Sequence, residues 1–166
     1  MNKAIFFDRD GTLNIDSGYV HEWAEFVWIP GAKETIKLAN DSGYKVFVVT
    51  NQSGIGRGLY DEKSVETLHG KMNSDIKTIG AHIDAFEFCP HHPREAQPEF
   101  LRECECRKPA PGMLLKLIEK WHIDPDASLM IGDRKSDIAA ADAANVRGYL
   151  FTENNLYDFV APLLGN

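Results

Sequence analysis

Long hydrophobic runs are missing from this chain of 166 residues: no segment approaches the ~18 uninterrupted apolar residues that a membrane span needs. The apolar stretch after Lys3 ends at Phe7, too short for the core of a secretion signal, so a cytoplasmic protein with no membrane partner is expected. Basic side chains are in the minority, 18 against 25 acidic, and the net charge of -7 repels a phosphate backbone at long range. Nucleic acid is therefore excluded as a partner, and an anionic small molecule needs a local basic cluster. Cysteine is scarce as well. The three that occur are an odd number crowded between Cys89 and Cys106, which excludes a disulfide framework spread over a secreted fold and points to a metal. Repeats, linkers and runs of like charge are also absent. With 43% hydrophobic and 26% charged residues, the composition is that of a globular protein, and the length suits one domain over residues 1–166, expected as a monomer.

What is present alternates. Lys3 to Phe7, Lys45 to Val49, Ile83 to Phe88, Ser128 to Ile131 and Gly148 to Phe151 are short apolar or β-branched runs that read as strands. Between and after them, residues 31–42, 61–78, 111–121, 135–144 and 156–164 carry apolar side chains at helical spacing. Gly43 suits a helix C-terminus, and Pro111 suits the first turn of the helix carrying Leu114, Leu115, Leu117, Ile118 and Trp121. Such alternation predicts an α/β fold, a doubly wound parallel sheet covered on both faces. Ligands of such sheets bind beyond the carboxyl ends of the strands, where strand order reverses. Asp8, Thr50, Cys89 and Asp133 stand at those ends.

Asp8-Arg9-Asp10-Gly11-Thr12 follows the first strand directly. Its two acids can both face the crevice, and Gly11 permits a sharp turn. Paired carboxylates repel, and a divalent cation relieves that cost, with Asp133 as a third oxygen ligand. A lone DxD more often caps a turn, but capping needs no partners elsewhere, and here Thr50, Lys108 and Gly132-Asp133 stand further along the chain. A receiver domain also phosphorylates an aspartate on such a sheet, with its acidic cluster and nucleophile on different strands.

DxDGT, a Thr after the second strand, a downstream Lys and GDxxxD, in this order, resemble the four motifs of the haloacid dehalogenase superfamily. The resemblance implies a Rossmann-like fold and a phosphatase. Asp8 would be the nucleophile that forms an aspartyl-phosphate, and Asp10 the acid and then the base. Mg2+ would be held by Asp8, the Asp10 carbonyl and Asp133, with Asp137 orienting a bound water. Thr50 and Lys108 would contact the transferring phosphoryl group. Members often carry an inserted cap, yet only residues 8–44 separate the first two strands, so no large cap and an open site are expected.

Residues 89–110 lack periodicity, and loops of that length are usually functional or held by something. Cys89-x-His91 and Cys104-x-Cys106 supply four ligands suited to structural Zn2+, with His92 as the alternative imidazole. Free buried cysteines with a surface histidine are the plainer reading, but the segment is too polar and proline-rich to offer a core. A zinc-braced loop would deliver Arg107 and Lys108 to the site on a rigid support.

Nearly the whole chain resembles the heptose bisphosphate phosphatases and the related histidinol-phosphate phosphatases of that superfamily, through DRDGTLN, DSGYVH, TNQSGIGRG, CPHHP, CECRKPAPGM and GDRKSD. DSGYVH and TNQSGIGRG look more like the heptose branch. The implied substrate contacts are Asp16, Ser17, Gly18 and Tyr19, then Thr50, Asn51, Gln52 and Ser53. Arg107 and Arg134 would hold the sugar or its second phosphate. Arg134 departs from the Lys that the heptose enzymes often carry. Arg57 and Lys135 adjoin no motif residue and read as surface cations, and Trp23, Trp28 and Trp121 as packing.

Overall fold

A computed structural model describes residues 1–166. Five parallel strands form one sheet in the order β3-β2-β1-β4-β5: β1 Ala4–Phe7, β2 Lys45–Asn51, β3 Ala85–Cys89, β4 Leu129–Gly132 and β5 Arg147–Leu150. The helices are α1 Ala32–Asp41, α2 Ser53–Gly56, α3 Glu62–Lys77, α4 Gly112–Trp121, α5 Lys135–Ala143 and α6 Leu156–Val160. The chain leaves β1 toward β2 on one side and returns to β4 on the other. Strand order therefore reverses between β1 and β4, and a crevice can form there.

Because successive strand residues point to opposite faces, the central strands β1, β2 and β4 feed two cores. Ile5, Phe7, Val46, Val48, Leu129 and Ile131 pack with α1, α3 and α6 through Ile36, Met72, Ile76 and Leu156. Ala4, Phe6, Phe47, Val49 and Met130 meet α4 and α5 through Met113, Leu114, Leu117, Ala140 and Ala141. The register Phe6↔Phe47 sets two aromatic rings side by side at 5.3 Å, with Trp121 at 5.4 Å from the second.

The predicted elements all form, with shifted ends and two corrections. Leu115 is exposed and Met113 is in the core, since positions 113, 114, 117 and 121 share one face of α4 and 115 is turned away from it; Pro111 is the cap of α4 rather than part of its first turn. The short α2 directly after β2 lacks the length for a periodic signal. No large cap is inserted: residues 8–31 hold only a 3-10 turn, Trp23–Glu25. No helix is long and apolar enough to cross a membrane.

One cation lies inside the fold beneath the site. Arg9 is wholly buried, and its Nη1 lies 3.2 Å from Nε2 of His69 on α3. A guanidinium can only donate, so that nitrogen accepts and the ring is neutral. The imidazole stacks on Phe86 at 4.3 Å. Burial, reinforced by the Arg9 charge, lowers its pKa to about 3. Between that value and the ~6.5 of an exposed imidazole, the unfolded chain binds a proton that the folded chain does not, so stability falls as pH drops through this window. The slope due to His69 approaches ~1.4 kcal/mol per pH unit at its steepest. Urea unfolding of His69→Gln, which keeps an acceptor for Arg9, is expected to lose that component of the slope between pH 6.5 and 5; a slope equal to wild type would show that His69 does not carry it.

Candidate active site

Beyond the carboxyl ends of β1, β2 and β4 lies a crevice of about 540 Å3 lined almost throughout by polar and charged side chains. At its floor Lys108, 4% exposed, donates from Nζ to Asp8 Oδ1 at 2.8 Å, Asp137 Oδ1 at 2.5 Å and the Val49 carbonyl at 2.9 Å. Asn51 holds the Lys108 backbone from both sides, accepting from its N–H at 3.0 Å and donating to its carbonyl at 3.1 Å. Burial disfavours the ammonium, but the charges of Asp8 and Asp137 outweigh it and raise the lysine pKa. Burial pushes the Asp8 carboxyl well above its usual value; Lys108 opposes this and Asp137 adds to it.

Asp10 is held differently. Its Oδ1 accepts from Arg9 Nη2 and Asn14 Nδ2, both at 3.0 Å, and its Oδ2 accepts from Gln52 Nε2 at 3.0 Å. Thr50 is buried beside it, with its hydroxyl 3.0 Å from the same amide nitrogen.

Oxygen atoms of Asp8, Asp133 and Asp137 lie within 4.8 Å of one another. Gly11, at φ +89, permits this approach: a Cβ there would stand 2.2 Å from an Asp133 oxygen. Three carboxylates against one ammonium leave net negative charge in a buried site, which fits a hard divalent cation and its oxygen ligands. Such an ion would also hold Asp8 ionised against its burial.

The sulfur cluster forms on the loop that carries Lys108. Cys89 Sγ lies 3.6 Å from His91 Nδ1 and 3.5 Å from Cys104 Sγ; Cys106 Sγ lies 3.4 Å from His91 Nδ1 and 3.3 Å from Cys104 Sγ. The sulfur–sulfur edges are slightly inside the ~3.8 Å, and the sulfur–nitrogen edges close to the ~3.5 Å, expected of a tetrahedron with ~2.3 Å zinc–sulfur and ~2.0 Å zinc–nitrogen bonds, so the donor set fits zinc. Hydrogen bonding to Cys106 pushes the Cys89 thiol up, while the Cys106 thiol, bonded first to Cys89, is lowered to about 5. His92 is not in the cluster: its Nδ1 accepts from the backbone N–H of Arg94 and Glu95 and braces the loop.

The remaining sequence candidates divide. Asp16, Gly18, Tyr19, Asn51, Gln52, Ser53, Arg107 and Arg134 line the crevice, and Ser17 does not. Arg134 reaches Asp16 at 3.4 Å across the mouth, and Arg107 Nη1 donates to the His91 carbonyl at 3.4 Å. Arg57, read from the sequence as a surface cation, lines the crevice instead, paired with Glu95 at 2.6 Å. Tyr60 lines it too. Arg57 lies within the stretch TNQSGIGRG, which was the available signal, whereas Tyr60 lies outside every such stretch and the turn after α2 brings it in.

A family model described as HAD-hydrolase-like matches residues 105–155. The chain is 42% identical over 161 residues to the D-glycero-β-D-manno-heptose-1,7-bisphosphate 7-phosphatase of Rhodopseudomonas palustris, covering 97% of this chain and 89% of that one. The Escherichia coli K12 protein of the same name is 47% identical over 143 residues, 86% of this chain and 75% of its own. Among solved structures, the D,D-heptose 1,7-bisphosphate phosphatase of B. bronchiseptica, complexed with magnesium and phosphate, superposes with a TM-score of 0.80 at 31% identity, covering 96% of this chain and 86% of that one.

Proposed function

The chain belongs to the D-glycero-β-D-manno-heptose-1,7-bisphosphate 7-phosphatases, a HAD-like hydrolase family, and we propose that it removes the 7-phosphate of that bisphosphate by way of an aspartyl-phosphate. The observation that carries the mechanism is the pairing of Asp8 with Lys108 on the crevice floor beside the clamped Asp10. Relatives named for the heptose bisphosphate favour it over histidinol phosphate.

Asp8 attacks phosphorus with a carboxylate oxygen while the bond to the sugar oxygen breaks, and Asp10 gives its proton to that departing oxygen. Asp10, now a carboxylate, takes a proton from water. The water oxygen attacks the same phosphorus and releases Asp8 and phosphate. Lys108 and the Thr50 hydroxyl stabilise charge on the phosphoryl oxygens. Mg2+, bound by Asp8, Asp133 and the Asp10 carbonyl with Asp137 nearby, would neutralise the approaching phosphate. Arg107 and Arg134, with the loop Asp16 to Tyr19, would hold the sugar and its second phosphate. Zinc on Cys89, His91, Cys104 and Cys106 would brace the strap that presents Arg107 and Lys108.

Asp8→Asn is expected to abolish turnover with the fold intact, as an amide of equal size cannot attack phosphorus. Steady-state activity above a few per cent of wild type would remove the nucleophile assignment. Wild type is expected to prefer the heptose bisphosphate to histidinol phosphate and to simple monophosphates. Arg107→Ala is expected to cost ~1.5–3 kcal/mol in kcat/KM on the bisphosphate and far less on a monophosphate. Equal losses on both would mean that Arg107 does not read the second phosphate. Elemental analysis is expected to find one zinc per chain, with Cys104→Ser lowering both zinc content and melting temperature; negligible zinc with full activity would exclude the site.

A further inference from the structure

Tyr60 follows the short helix α2 and belongs to none of the motifs. Its ring stacks on His21 at 4.6 Å, with 8° between the planes. Gly54 makes the slot for it: a Cβ there would stand 2.2 Å from the ring. The hydroxyl donates to Gln52 Oε1 at 2.6 Å, and Gln52 Nε2 donates in turn to Asp10 Oδ2 and Thr50 Oγ1, each at 3.0 Å.

Donor and acceptor logic fixes the amide's direction. As a carboxylate Asp10 only accepts, so in that state the amide nitrogen faces Asp10 and Oε1 faces the tyrosine hydroxyl. Gln52 is 2% exposed, so water cannot readily replace that hydroxyl. Arg9 and Asn14 hold Oδ1 of Asp10 at 3.0 Å, whereas on Oδ2 Arg9 reaches only 3.3 Å. Gln52 is thus the nearer restraint on the second oxygen, and Tyr60 is what keeps Gln52 turned toward it.

We propose that Tyr60 is a positioning residue for the acid–base step: through Gln52 it fixes the plane of the Asp10 carboxylate and the rotor of Thr50. This rests on the acid–base reading of Asp10. The chain of bonds reaches the reacting groups without requiring Tyr60 to touch the substrate. Its loss therefore acts on turnover rather than on affinity, and acts alike on large and small substrates.

The test is Tyr60→Phe, which keeps the ring, its slot and its stack. The expected result, for one lost hydrogen bond to a buried amide, is a fall in kcat of about tenfold on the bisphosphate and on p-nitrophenyl phosphate, with KM unchanged and the melting temperature lower by a few degrees at most. Gln52→Met is expected to lower kcat at least as far, and adding Tyr60→Phe to it to lower kcat no further, because both remove the same link. Wild-type kcat in Tyr60→Phe overturns the proposal. So does a KM increase with kcat intact, which makes Tyr60 a substrate contact, and so do losses that multiply in the double variant. Asp10→Asn is measured alongside: wild-type turnover there sinks the acid–base reading itself, whereas inactivity there with a fully active Tyr60→Phe sinks the positioning role alone.

Discussion

Lys108 shares its buried ammonium among Asp8, Asp137 and the Val49 carbonyl, and the surrounding structure is arranged to keep it there. Removing one partner of a buried ion pair leaves an uncompensated charge and is typically worth several kcal/mol. That cost ties three separate parts of the chain to one point: the end of β1, the first turn of α5 and the loop before α4. Even paired, the lysine faces more negative charge than it can neutralise once Asp133 is counted. The same excess fits the site for a divalent cation and makes an incoming phosphate dependent on cations for entry.

The loop that carries Lys108 has little core of its own, so its order comes from specific contacts. Asn51 grips the lysine backbone at both polar atoms, while Cys104 Sγ accepts from the Arg107 N–H at 3.3 Å. A metal on the sulfur cluster would therefore act on the active site through one peptide segment, without touching substrate. Asp10 shows the complementary solution. It is restrained by donors alone, from Arg9, Asn14 and Gln52; Arg9 is anchored at its far end on His69 and Gln52 on Tyr60, while the Asn14 amide nitrogen is shared between Asp10 and the Ile15 carbonyl. Preorganisation of this kind avoids reordering at the moment of reaction.

What the sequence determined by itself was whatever local chemistry and periodicity dictate. Apolar runs of strand length separated by helical spacing specify the doubly wound sheet, and acids and a threonine just after those runs mark the crevice. The crowding of Cys89, His91, Cys104 and Cys106 was legible because soft ligands in a polar loop have few other uses. Which side chains meet across the sheet is set by packing. Asn51 turned out to grip a backbone 57 residues away, and Gln52 an acid 42 residues before it. Arg57 and Tyr60 joined the crevice through a helix too short to leave a period, and His92, the alternative to His91, stays out of the cysteine cluster and binds its own loop. The physical reason is common to all of these. Hydrogen bonds between distant residues depend on directions set by packing, and a linear pattern of residue types carries no record of direction.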